Sequence, residues 1–209
     1  MKIVREGYRF VVAAAAAALV AAWAGWPFAA GTAAVAALFF AWFFRDPERV
    51  TPPGDDLIVA PADGRVVSVV EVREMPFLEE AGRRVSIFMS PLDVHVNRMP
   101  VAGTVEEVRY RPGKFLAAYR DSAVEENEQN AMTVVSRSGR KVGVVQVAGL
   151  VARRIVCRVR PGDTLERGER FGLIMFGSRT DLYLPRGSAV EVAEGARVKG
   201  GETIIGRFV

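Results

Sequence analysis

Residues Phe10 to Ala24 and Phe28 to Phe44 carry no charged side chain, and only Gly25-Trp26-Pro27 interrupts them. Side chains this uniformly apolar leave no polar face for water, so the segment belongs in lipid. Each half is short against the about 20 residues needed to cross a ~30 Å hydrocarbon core, while the whole is too long for one untilted helix. The pattern therefore predicts two shallow or tilted helices joined at Trp26-Pro27, with both ends on one side. Both ends are basic, with Lys2, Arg5 and Arg9 before and Arg45 and Arg49 after. The positive-inside rule then puts those ends, and the body that follows, on the cytoplasmic side of a cell membrane. A cleaved signal peptide is the alternative, but the segment is too long for one and runs on into "LFFAWFF". Residues 1–50 read as a membrane anchor with its juxtamembrane linker, and residues 51–209 as the body, with "TPPGDD" as a stiff polar connector.

The body alternates short apolar runs with Gly, Pro and Asp: "LIVAPADGRVVSVVEV", "RRVSIFMS", "GTVEEVRYRPG", "AMTVVSRSGRKVGVVQVAG", "RRIVCRVRPGD", "FGLIMFG", "DLYLP" and "AVEVAEG". These predict a mostly β fold. Only Lys114 to Gln129 has a helix-permissive or loop-like composition. An internal echo joins "RVRPGDTLERGERFGLI" to "EVAEGARVKGGETIIGRF": each has an apolar strand, two glycine turns and a second apolar strand. That pattern, with the opening "PADGRV", points to a compact barrel-sandwich-like body of the biotinyl/lipoyl type behind a helical anchor. A sandwich of this kind could be a carrier or a membrane-anchored adaptor without chemistry of its own. A carrier needs an exposed lysine at a hairpin tip, yet no lysine lies between Lys141 and Lys199. An adaptor usually carries a long helical hairpin beside the sandwich, and none is legible.

The sole cysteine, Cys157, sits in the alternating run "RIVCRVR" and has no internal disulfide partner, so it reads as a small core residue. With 28 Lys and Arg against 24 Asp and Glu, the net charge is +4. The arginines are dispersed and no aromatic-basic signature accompanies them, which argues against nucleic acid. An anionic lipid surface is the better partner for basic charge beside a membrane segment. Three polar stretches remain for chemistry: "PADGRV" with Asp63, "SPLDVHVNRMP" with His95, and "FGSR" with Ser178. His95, the only histidine, lies in a Pro-bounded loop after the strand "RVSIFMS", where functional groups are commonly displayed. One histidine and one distant cysteine make no recognisable metal site. A Ser-His-Asp hydrolase is conceivable, but there is no GxSxG elbow and no βα alternation to carry one. In "RFGLIMFGSRTDLYLP", Gly177-Ser178 interrupts what reads as one strand, as a bulge or as a place of close backbone approach.

Together "FFRDPER", "APADGRV", the "SPxDxHxxRxP" loop and the C-terminal "FGSR" resemble the short form of the phosphatidylserine decarboxylases across essentially the whole body. The resemblance implies that the Ser178 hydroxyl attacks the carbonyl of Gly177. The resulting ester eliminates, and the dehydroalanine hydrolyses to a pyruvoyl group, the cofactor. A large chain, residues 1–177, and a small chain, residues 178–209, result. The pyruvoyl ketone forms a Schiff base with the head-group amine of phosphatidylserine, and loss of CO2 gives phosphatidylethanolamine. By the same resemblance His95 is the proton donor, Asp63 orients or activates groups at the Ser178 side, and Gly177 leaves the attacked carbonyl unhindered. The same site would serve an archaeal-type serine lipid, and a homo-oligomer is compatible with it.

One position departs from the pattern. Where some members carry a second histidine, assigned to self-cleavage, this chain has Arg98. Arginine stays protonated and cannot be a general base. Arg98 is instead a candidate for the substrate carboxylate or phosphate, or for a surface ion pair. Arg153 and Arg154 are further candidates for the lipid phosphate, although strand alternation sends only one of them to a given face. Phe115, with Leu116 and Tyr119, is a candidate apolar lip for the lipid, or a packing residue.

Overall fold

The computed structural model describes residues 2–73, 82–116, 126–149, 154–175 and 178–209. They form two compact units, Met1–Glu48 and Arg49–Val209. The first unit is a helical hairpin: β1 (Lys2–Ile3), α1 (Tyr8–Trp23), α2 (Pro27–Phe43) and β2 (Arg45–Asp46). Pro27 opens α2, where its missing N–H has no intrahelical partner to lose. Leu19, Trp23, Phe28, Val35 and Leu38 point outward and exposed, so the hairpin has no polar face. Among the described residues one helix, Arg5–Trp23, is long and apolar enough to cross a membrane by length and composition, and Pro27–Phe43 is shorter. Antiparallel pairing of β1 with β2 brings the two ends of the hairpin together. Phe10 stacks on Phe44 at 5.2 Å and the Lys2 ammonium meets Glu48 at 2.7 Å.

The second unit is mostly β. In chain order its strands are β3 (Leu57–Val59), β4 (Gly64–Val72), β5 (Gly82–Met89), β6 (Val96–Arg98), β7 (Gly103–Arg111), β8 (Gln129–Ser136) and β9 (Lys141–Val147). Then come β10 (Ile155–Cys157), β11 (Thr164–Leu165), β12 (Arg170–Ile174), β13 (Ser178–Pro185), β14 (Ser188–Val190), β15 (Arg197–Val198) and β16 (Ile204–Phe208). An eight-stranded antiparallel sheet runs β11-β7-β8-β9-β13-β5-β4-β15, and two short sheets run β10-β12-β6 and β14-β16-β3. Gln129, expected at the end of a loop-like stretch, already belongs to β8, and Lys114 bridges to Asn127. The single interrupted strand expected around Gly177-Ser178 is two strands in different sheets: β12 pairs with β10 and β6, and β13 with β5 and β9.

The internal echo in the sequence is a structural repeat. In each copy a two-residue strand, β11 or β15, pairs at one edge of the large sheet, and the next strand, β12 or β16, becomes the centre of a short sheet. Register shifts fall at matching places, Arg170/Gly172 and Ile204/Gly206. Gly172 and Gly206 share one cause: a Cβ on either would sit 2.2 Å from a carbonyl oxygen of the neighbouring strand, that of Val156 or Ala189. Only glycine allows so close an approach.

Period-two alternation sorts the large sheet into two faces. The inner face presents Val85, Ile87, Met132, Val134, Val142, Val144, Leu182 and Leu184, which pack with Ile58, Phe171 and Ile205 of the short sheets in one core. The outer face of β13 carries Arg179 and Asp181, whose side chains are 1% and 0% exposed. Arg179 Nε donates to Asp181 Oδ1 at 2.6 Å, and its Nη2 donates to Ser86 Oγ at 2.6 Å. Removing one partner of such a pair strands the other charge away from water. Arg179→Met is expected to lower stability by about 3–5 kcal/mol, and replacing Asp181 by leucine as well should recover most of that loss. Denaturant titration of the detergent-solubilised chain measures both.

Candidate active site

One end of the large sheet gathers the segments that the sequence singles out. Arg111, Gln129, Val147, Arg179, Phe88 and Arg65 lie in register across six strands. Just beyond this row, at the same end, come Asp63 before β4, the 90–95 loop with His95 after β5, Phe115 after β7, Arg154 after β9, and Ser178, the first residue of β13. Gly177 and Arg153 lie outside the described residues. Phe115 is half-buried, Arg154 is exposed beside the start of β10, and the Arg154 carbonyl accepts the Met175 N–H at 3.2 Å.

Ser178 is buried and points inward, opposite Met89. Here the inner face changes from apolar to neutral polar. Thr180, Gln146 and Asn130 sit side by side on β13, β9 and β8, and Asn97 reaches them from β6 of the short sheet. Asn130 Nδ2 donates to Gln146 Oε1 at 3.3 Å, Gln146 Nε2 to Asn97 Oδ1 at 2.9 Å, and Asn97 Nδ2 to Thr180 Oγ1 at 3.2 Å. The Thr180 and Ser178 hydroxyls both donate to the Met89 thioether, at 3.5 and 3.4 Å. No sequence motif marks Asn97, Thr180, Gln146, Asn130 or Met89. The visible signal was a polar residue at an inward position in otherwise apolar alternations, as in "VVQV". Cys157 borders this network, and burial pushes its thiol up.

His95 is 2% exposed and is not displayed to solvent as its loop position suggested. Asp93 shapes that loop: its Oδ2 accepts the Ser90 N–H at 2.8 Å and the Ser90 hydroxyl at 2.7 Å, and its Oδ1 accepts Arg197 Nη1 at 3.1 Å. The Asp93 carbonyl lies 2.9 Å from His95 Nδ1. A carbonyl only accepts, so Nδ1 carries the hydrogen and Nε2 is the nitrogen that gains or releases a proton. The His95 carbonyl in turn accepts the Ile174 N–H at 3.3 Å, tying the loop to the end of β12.

Asp63 is held from two sides. Its Oδ2 accepts Arg49 Nη2 at 2.6 Å and its Oδ1 accepts the Gly200 N–H at 2.8 Å, while Arg49 Nη1 reaches Glu202 at 3.2 Å. Burial raises its pKa, Asp93 adds to the rise, and Arg49 and the Gly200 N–H hold it down. The chain fits here because of Gly64, with φ 155°, where a Cβ would sit 2.2 Å from the Phe88 carbonyl oxygen. β5 separates Asp63 from Ser178, which sets their backbones about 10 Å apart at ordinary strand spacing. Arg98, expected in a loop, is a strand residue 4% exposed, and its Nη1 donates to the Gly168 carbonyl at 2.9 Å.

Comparison with known proteins supplies the context for this arrangement. The phosphatidylserine decarboxylase family model matches residues 36–206. The phosphatidylserine decarboxylase proenzyme of Symbiobacterium thermophilum is 52% identical over 206 residues, covering 99% of this chain and 95% of the relative. That of Syntrophus aciditrophicus is 45% identical over 209 residues, covering 99% and 97%. That of Granulibacter bethesdensis is 55% identical over 171 residues, covering 80% and 70%. With a match of this depth over both the apolar hairpin and the β unit, the chain belongs to the phosphatidylserine decarboxylase family.

Proposed function

We propose that this chain is the precursor of a pyruvoyl-dependent phosphatidylserine decarboxylase. It cuts itself between Gly177 and Ser178 and converts phosphatidylserine to phosphatidylethanolamine at the cytoplasmic face of a membrane. The observation that carries the reading is where Ser178 sits. It is the first residue of β13, after the chain has left β12 of a short sheet for the large one, so a cut before it leaves the strand pairings of the described residues whole. Family membership favours this reading over an adaptor without chemistry. The repeat of short strands around the large sheet supports a barrel-sandwich-like description of the body.

The surroundings of Ser178 fit a pyruvoyl group: among the described residues its inner-face neighbours are neutral donors and a thioether, with no amine to consume a ketone. Such a group supplies an electrophilic ketone for the head-group amine and an adjacent carbonyl that accepts the electrons released with CO2. His95, with Nδ1 fixed on the Asp93 carbonyl, delivers a proton through Nε2 to the head-group carbon; imidazole suits that task near neutrality. Asp63 serves maturation as the carboxylate on the Ser178 side. Arg154, exposed near the segment leading to Ser178, is the better arginine for the lipid phosphate, since Arg98 is buried on a backbone carbonyl. Phe115 offers apolar surface to the lipid. A diacyl substrate stays in its bilayer, and the apolar hairpin keeps the body tethered there.

Intact-mass measurement tests the class directly. Wild-type protein should give two chains, the smaller beginning with a pyruvoyl mass at residue 178, and Ser178→Ala one uncut chain that releases no CO2. A Ser178→Ala chain that still splits at that bond excludes the mechanism. His95→Ala should still cut itself, because attack on a neighbouring carbonyl is helped by proximity worth about 7–11 kcal/mol, yet release CO2 at a small fraction of the normal rate. Asp63→Ala should accumulate uncut; gel separation of cut from uncut chains, beside CO2 release from the cut fraction, reads both.

The raised pKa of Asp63 gives the pH dependence its sign. The carboxylate takes up a proton at higher pH than a free aspartate, so on acidification self-cleavage should fall off above the ordinary carboxylate range. Arg49→Gln removes the cation that holds the pKa down, and should move that fall to still higher pH. Cleavage rates against pH for the two proteins check the direction.

A further inference from the structure

We propose that Asn97 is a positioning residue for the Ser178 hydroxyl, acting through Thr180 and Met89. The proposal rests on the maturation reading above. Its starting point is the structural repeat. Asn97 of β6 lies opposite Gly172, as Ile58 of β3 lies opposite Gly206. Both side chains are 0% exposed. In one half of the fold the position is filled by isoleucine packed in the core, so the architecture asks for nothing polar there. Burying a carboxamide instead is costly unless its polar atoms are matched. Here matching takes Gln146 and Thr180, and Gln146 takes Asn130 in turn.

The chain of donors has a direction, and it ends beside Ser178. Thr180 Oγ1 accepts from Asn97, which turns the Thr180 hydrogen toward Met89 Sδ at 3.5 Å. The sulfur, held from that side, accepts the Ser178 hydrogen at 3.4 Å. A thioether accepts and never donates, so the Ser178 hydrogen points at sulfur and the oxygen lone pairs are left for a carbonyl carbon. Sulfur is also a weak acceptor, and the proton is released from it at little cost. In the attack, Ser178 Oγ bonds to the carbonyl carbon of residue 177, the C–N bond to residue 178 breaks, and the hydroxyl proton ends on the freed amine. None of Asn97, Thr180, Gln146 or Met89 titrates, so the row orients the nucleophile while a separate base moves the proton.

The test gives Asn97 the residue of its counterpart. Full-length Asn97→Ile is purified in detergent, its fold checked by circular dichroism and thermal midpoint, and its self-cleavage followed by intact mass with and without hydroxylamine, which cuts the ester. Cleavage about 10- to 100-fold slower is expected, with the fold retained and the uncut chain insensitive to hydroxylamine, because the block precedes ester formation. Normal cleavage overturns the proposal, and so does accumulation of a hydroxylamine-labile ester, which puts the defect after the attack. Should Asn97→Ile fail to fold, Thr180→Val decides by the same readout, with Thr180→Ser expected to restore cleavage relative to valine. If the wild-type chain itself lacks the cut and the pyruvoyl mass, the maturation reading fails instead.

Discussion

The two-sided hydrogen bonding of β13 is the constraint on which the rest of the second unit depends. The strand pairs along its whole length with β5, from Ser178 opposite Met89 to Pro185 opposite Gly82, and with β9 from Arg179 to Tyr183. Because side chains alternate strictly, this register sends Ser178 and Thr180 into the interior and Arg179 and Asp181 to the other face. A slip of one residue would exchange the serine for an arginine. The same ladders would keep residues 178–209 in place after a cut before Ser178, as would the pairing of β14 and β16 beside β3 and of β15 with β4.

The candidate site lies where the internal repeat stops being symmetric. Each copy places a two-residue strand at a sheet edge and a longer strand in a short sheet, with a glycine at the same close approach. After β12 the chain crosses into the middle of the large sheet at Ser178. The interior differs accordingly: Ile58 marks the apolar half, Asn97 the half beside the crossing. Polar groups are thus concentrated where the backbone leaves the repeated pattern.

Among the described residues, charge is kept off the inner face around Ser178 and handled at its margins. The Asp63 carboxylate draws together three separate stretches of the second unit, through Arg49 at its start, its own turn before β4, and Gly200 with Glu202 near the C-terminus. Asp93 does the same for the 90–95 loop, receiving Ser90 on one oxygen and Arg197 on the other while its carbonyl fixes the His95 ring. The largely buried Arg49–Asp63 pair is weak evidence for stability, since desolvation offsets most of its attraction, and the exposed Arg197–Asp93 pair contributes little. These pairs are better read as fixing loop geometry at the sheet end.

By itself the sequence determined the uncharged hairpin, the mostly β body, the internal echo and the three motifs with Asp63, His95 and Ser178, because each is written in local composition or short-range spacing. It did not reveal that the runs before and after Gly177-Ser178 join different sheets, since an apolar run reads as a strand whichever sheet it joins. His95 and Arg98 looked like loop residues on account of their polar neighbours, and burial depends on what packs over them. The row Asn130, Gln146, Thr180 and Asn97 spans 84 positions of chain, and its members meet only through strand pairing and the short sheet above. Only tertiary structure decides such contacts: hydrogen bonds between distant side chains leave no periodicity in the sequence, and the cost of burying them appears once the core closes.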